Sequence, residues 1–304
     1  MFRGMTFLLV SALVIITGCT SLNHSNKVGF YEPVPGSVKA YTPQPRVGLA
    51  LGGGGVRGFV HLGVLKALEE QGIQMDVVTG TSAGSIAAAF YANQIPVSSM
   101  VKAATDLSPW TIADVRISRF GFIKGEALSE WVNEHMRYPH IESTPILLGI
   151  TVTNLTERRV EIIDKGDIGN AVQISSSIPG AFIPTEVDES IYVDGGVLSV
   201  VPVYAARELG ADVVVAVDIY CNPKTDTVKR SIIVAAARLQ SCMLSDAEIQ
   251  SADVLIRPDY EPESMGSFNE VELAFEAGYQ AAIEAMPAIL ALTEQRLAFK
   301  KGYL

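Results

Sequence analysis

Four consecutive glycines, Gly52 to Gly55, stand between the apolar pentapeptide VGLAL and the segment FVHLGVLKALEEQ, whose apolar residues recur at helical spacing until Gly72 stops them. A short strand that runs through glycines into a helix leaves a chain few architectures, and the pattern repeats. DVVTG reads as a strand and SIAAAFYANQ as a helix. PILLGITVTNL and RRVEIID follow as strands, PVYAARELG as a helix opened by Pro202 and closed by Gly210, and DVVVAVDI as a strand. Alternating strands and helices predict a mostly parallel sheet with both faces covered, an α/β fold. The glycines raise a second question, namely what approaches that backbone so closely. A phosphate and the oxyanion of an acyl-transfer transition state are the two candidates.

With 304 residues, 48% of them hydrophobic, the chain can bury a large core. Its net charge of −10, without any basic run, excludes a nucleic-acid partner held through phosphates. Residues 1–18, MFRGMTFLLVSALVIITG, carry one basic residue and an apolar core too short to span a membrane, the grammar of an export signal. The junction IITGCTS resembles the lipobox of bacterial lipoproteins. It makes Cys19 the lipidated residue and places the protein in a bacterial cell envelope, anchored to a membrane. Residues 19–45, rich in Ser, Asn, Pro and Gly, read as a flexible tether, and 46–304 as the folded domain. Cys221 and Cys242 remain; they can pair in an exported protein, and a buried free thiol in a helical stretch is the competing reading. The sequence sets no oligomeric state.

Gly80-Thr81-Ser82-Ala83-Gly84 lies between a strand and a helix, the context in which G-x-S-x-G exposes a nucleophilic serine on a tight turn. Ser82 then needs a base. The four histidines, His24, His61, His135 and His140, all precede the region where the usual Ser–acid–His order would put one, and each reads as structural or solvated, with His140 the first to test. An acid must serve instead. Asp194 ends a short strand-like run and is followed by Gly195-Gly196, which leave its carboxylate uncovered. Gly53, Gly55 and Gly58 also match the dinucleotide pattern G-x-G-x-x-G, but the acid of the second strand, Asp76, comes at its start rather than its ribose-binding end. A Walker loop is excluded because no Lys-Ser or Lys-Thr follows the glycines. An oxyanion hole remains, with the Gly53, Gly54 and Gly55 amides as donors. Arg57 reads as a surface salt-bridge partner ahead of a loop-positioning or head-group-binding role. In residues 107–124, Trp110, Phe120 and Phe122 read first as core residues and second as the lining of an acyl groove.

Together GGGVRG (Gly53 to Gly58), GTSAG (Gly80 to Gly84) and DGG (Asp194 to Gly196), in that order, resemble the patatin-like phospholipase family. Within it the chain looks closest to bacterial one-domain members related to the neuropathy-target-esterase branch. The resemblance spans residues 47–219 and leaves 220–304 less diagnostic. It implies a three-layer α/β/α sandwich with a mostly parallel central sheet. It also implies an acyl hydrolase of fatty-acyl esters using a Ser82–Asp194 dyad, with Arg57, Gly58, Gly80, Gly84, Gly195 and Gly196 supporting the motifs and no metal or organic cofactor. A nucleotide-binding oxidoreductase and a catalytically silent lipoprotein scaffold are the alternatives.

Overall fold

The computed structural model describes residues 22–33, 45–222, 232–264 and 267–300. The expected signal 1–18 and the lipidation position Cys19 lie outside the described residues. In chain order the strands are β1 (Asn23–His24), β2 (Val28–Phe30), β3 (Val47–Leu51), β4 (Val77–Thr81), β5 (Leu147–Asn154), β6 (Arg159–Gly166), β7 (Thr185–Val187), β8 (Ser190–Asp194), β9 (Val213–Val217) and β10 (Val254–Ile256). The helices are α1 (Val60–Glu70), α2 (Ala83–Ala92), α3 (Val97–Asp106), α4 (Pro109–Ile112), α5 (Glu126–His135), α6 (Ile168–Ser175), α7 (Val203–Glu208), α8 (Ile232–Gln250) and α9 (Val271–Lys300).

Strands β10, β9, β3, β4 and β5 pair in parallel, in that spatial order. β6 continues the sheet antiparallel to β5, and β8 pairs antiparallel with the last residues of β5, beyond the end of β4. The central strands VGLAL, VVTGT and VVVAV are apolar without interruption because both of their faces are covered. Leu49, Leu51, Val78, Val215 and Val217 point into one core with α1, α2, α3, α5, α6 and α9. Ala50, Val77, Val214 and Ala216 point into the other, with α7 and the end of α8. The sheet between two helical layers is the expected sandwich.

One expectation changes. The tether is not wholly free of regular structure: β1 pairs with β7 and β2 with β6, so residues 23–30 extend the sheet that a Ser/Asn-rich composition concealed. The described residues beyond 220 pack against the motif-bearing part. α9 crosses α1 at a point where both helices present glycine, and a Cβ on Gly63 would run into the carbonyl of Phe275, one on Gly278 into that of Val60. Among the described residues no helix is long and apolar enough to cross a membrane.

Candidate active site

The parallel strands end together, and the candidate residues sit at those ends. β4 delivers Ser82 to a turn with φ 51° and ψ −123°, left-handed backbone that a side chain rarely adopts. Such a conformation costs about 1–3 kcal/mol and persists only where its surroundings fix it. Here the Ser82 N–H donates to Ser175 Oγ at 2.9 Å, and Ser175 in turn donates to the Thr151 carbonyl at 2.7 Å. The Ser82 carbonyl accepts from the Ser85 N–H at 2.8 Å. Glycine at 84 is required by space, since a Cβ there would strike the Leu51 carbonyl at the end of β3.

Asp194 ends β8, and its main chain is fixed by an N–H bond to the Ser177 carbonyl at 3.0 Å. Its carboxylate accepts from the Gly196 N–H at 2.7 Å and lies near enough to the Ser82 hydroxyl for that group to favour its ionised form. Burial pushes its pKa up to about 6, and the Ser82 hydroxyl and the Gly196 N–H moderate the rise. The two residues that the sequence paired are therefore neighbours, both buried.

None of the four histidines partners this pair. His61 is wholly buried, and its Nε2 lies 2.8 Å from the Gly52 carbonyl; since a carbonyl only accepts, Nε2 carries the hydrogen. Burial lowers its pKa to about 4, so the ring is neutral near pH 7. His135 contacts the Trp131 carbonyl, His24 lies on β1, and His140 is exposed.

The glycine loop needs one correction. The Gly52 N–H donates to Val217 O at 3.0 Å and the Gly53 N–H to Val200 O at 2.9 Å, so Gly53 cannot also serve an oxyanion. Gly54 and Gly55 remain from the expected trio. Arg57 is corrected as well. It is buried rather than on the surface, pairs with Glu261 through Nε and Nη2, donates to the Gly54 carbonyl at 3.3 Å, and lies over the Tyr220 ring. Arg238 stacks on the same ring, 4.9 Å from its centroid, and reaches Glu261 at 3.6 Å. The disulfide Cys221–Cys242 fastens this segment to α8, so the pairing reading holds over the free thiol.

A cavity of about 300 Å³ opens from Ser82, with an almost wholly apolar wall that includes Val56, Phe59, Ile86, Phe90, Met100 and Trp131. Trp110 and Phe122 neither line it nor belong to the core; they are exposed, while their neighbours Pro109, Ile112, Ala113 and Ile123 form part of the wall. The segment borders the cavity as its composition suggests, but through its small and aliphatic residues rather than its aromatic ones. Ser176 was missed: its buried hydroxyl lines the cavity beside Ser82 without a hydrogen-bond partner among the described residues. The SSS run at 175–177 was the available signal, but sequence alone does not separate the serine that holds the turn from the one that faces the cavity.

The model of the family described as Patatin-like phospholipase matches residues 49–207. Among curated relatives, Lysophospholipase NTE1 of Coccidioides immitis is 34% identical over 179 residues, 57% of this chain and 11% of that protein. An uncharacterised NTE family protein of Mycobacterium bovis is 30% identical over 190 residues, 62% of this chain and 53% of that one. The chain thus spans about a tenth of the fungal relative and about half of the mycobacterial one. The solved structure of VipD from Legionella pneumophila aligns over 90% of this chain and 72% of its own, with 15% identity and a TM-score of 0.46. With more than half of its length matched, the chain belongs to the patatin-like phospholipase family.

Proposed function

We propose that the protein is a serine acyl hydrolase of lipid esters, of phospholipase or lysophospholipase type. The observation that carries this reading is the Ser82 hydroxyl beside the buried Asp194 carboxylate, with Ser82 in the lining of an apolar cavity. Above pH 6 the carboxylate is ionised and accepts the Ser82 proton as Oγ attacks the ester carbonyl carbon. The carbonyl oxygen becomes an oxyanion facing the Gly54 and Gly55 N–H groups, and the Ser176 hydroxyl is at hand to orient the ester. As the tetrahedral species collapses, the alcohol leaves with the proton from Asp194. Water then attacks the acyl-enzyme, giving its proton to Asp194, and Ser82 departs with that proton as the fatty acid is released. The apolar wall takes the acyl chain, a burden that no ribose or nicotinamide would match.

A fluorophosphonate probe tests the nucleophile. Wild-type protein is expected to be labelled at Ser82, and Ser82→Ala to be unlabelled, inactive and folded; a label mapped to Ser175, Ser176 or Ser177 would overturn the assignment. Product analysis by mass spectrometry on mixed membrane lipids names the ester. We further propose the anchor at Cys19: labelled fatty acid should enter the wild type and not Cys19→Ser, and a wild type without label removes the anchor.

A further inference from the structure

We propose that residues 108–124 form a docking face for a lipid bilayer with anionic head groups, and that acyl chains enter the cavity through it. Trp110 is 86% exposed, Ile117 83%, Val115 74% and Phe122 62%, in a chain whose other aromatic and branched residues mostly fill cores. Large apolar side chains clustered in water mark a contact surface. These four alternate along the segment with Pro109, Ile112, Ala113 and Ile123, which line the cavity. One side of the segment is therefore cavity wall and the other is exposed, so the apolar surface is continuous from the outside towards Ser82.

The segment is built rather than loose. Val115 bridges Ile123, the Arg116 N–H donates to the Phe122 carbonyl at 2.8 Å, and the Phe122 and Ile123 N–H groups both donate to Ala181 O, at 2.8 and 3.0 Å. Its charge selects the occupant. Arg116 and Arg119 stand against one acid, Asp114, whose carboxylate is engaged by the Gly125 and Glu126 N–H groups at 2.6 and 3.0 Å, while Lys124 at the end of the segment pairs with Glu126. A locally cationic rim on a chain of net charge −10, carrying an exposed tryptophan beside aliphatic tips, suits a head-group and acyl boundary. A soluble acidic protein would meet the same cations but offers nothing that must pass into an apolar cavity.

The destination of the chain rests on the acyl-hydrolase reading, whereas docking is measured without turnover. The full chain is mixed with phosphatidylcholine vesicles carrying brominated acyl chains, with and without phosphatidylglycerol, and tryptophan emission is recorded. Trp110 should be quenched, more strongly with phosphatidylglycerol, and Trp110→Phe should lose that part of the quenching, keeping only what the cavity-wall Trp131 shows when a brominated chain enters. Because Trp110 reports its own contact with acyl chains, attachment elsewhere in the chain does not mimic the signal. Trp110→Ser/Ile117→Ser/Phe122→Ser should hydrolyse vesicle lipid at least about tenfold more slowly. The same variant should keep the wild-type rate on a soluble short-chain ester, which also reports that it is folded. Arg116→Gln/Arg119→Gln should lose the preference for phosphatidylglycerol. An unquenched Trp110, or a triple variant as fast as wild type on vesicles, overturns the docking face, as does a wild-type dimer that the triple variant dissociates. Quenching without soluble-ester turnover would leave the docking face standing and remove the acyl-hydrolase reading instead.

Discussion

Asp194→Asn is expected to abolish turnover and, at neutral pH, to stabilise the fold. Asparagine keeps the shape of the carboxylate: its oxygen can accept from the Gly196 N–H, and its amide can donate to Ser82 Oγ. It cannot take a proton from Ser82, so activity should fall by about a thousandfold or more. The stability effect follows from linkage. Burial raises the Asp194 carboxyl from 3.8 to about 6, so the folded protein holds this proton more tightly than the unfolded chain does. The resulting stability is fully present below about pH 3.8 and is lost as pH rises through about 6. At 1.36 kcal/mol per pH unit the whole loss is about 3 kcal/mol, of which about 2 falls between roughly pH 4.5 and pH 8. Asparagine does not titrate. Urea denaturation of wild type and variant at those two pH values should therefore show the variant gaining about 2 kcal/mol on the wild type at the higher pH. Glu248, which burial pushes up to about 7, titrates in both proteins and cancels in the difference. A difference that does not change with pH would refute the claim that Asp194 carries a buried charge, and with it the explanation of its basicity.

The same raised pKa sets the rate profile: kcat/KM on a soluble ester should rise about tenfold per pH unit up to about pH 6 and then level off, and a midpoint near the ordinary carboxyl value in a stopped-flow pH series would contradict it. His61→Gln, His135→Gln and His140→Gln should each keep activity within about tenfold, or about 1.4 kcal/mol of barrier, with circular dichroism confirming the fold; a folded histidine variant as inactive as Ser82→Ala would restore a triad. Arg57→Gln should lower kcat by about tenfold with KM little changed, because the Gly54 carbonyl loses its guanidinium while the cavity wall stays in place; steady-state kinetics on one ester distinguish this from a loss of binding. Gly84→Ala should fail to give soluble folded protein, since its Cβ meets backbone on β3, and recovery of a stable, active variant would show that the turn can relax.

The sheet was legible because strands buried on both faces read as unbroken apolar runs, and because Gly72, Pro202 and Gly210 punctuate helices in a chemically obligatory way. Ser82 and Asp194 were legible because small flanking residues announce a turn that must expose a side chain. What escaped depends on distance along the chain. Nothing near Arg57 announces Glu261, 204 residues away, so its burial could not be foreseen. The Gly53 amide looked available until the fold laid the carbonyl of Val200 against it. β1 and β2 are too short for a period to show, and they are strands only because β7 and β6 offer them edges.

The crossing of α1 and α9 at Gly63 and Gly278 bears on how such a catalytic unit can be inherited. The family match ends at residue 207, yet the helix that continues the glycine loop is wedged against a helix that starts at Val271, with backbone touching backbone. β9, also past the match, supplies the carbonyl that holds Gly52, and Glu261 supplies the partner of Arg57. A gene truncated after the recognisable motifs would encode Ser82, Asp194 and the glycine loop and still lack the frame that holds them. Recombination could exchange the remainder only for a segment that brings an edge strand, a carboxylate and a close-packing helix together. The portion beyond the family match is thus bound in shape to the motif-bearing part.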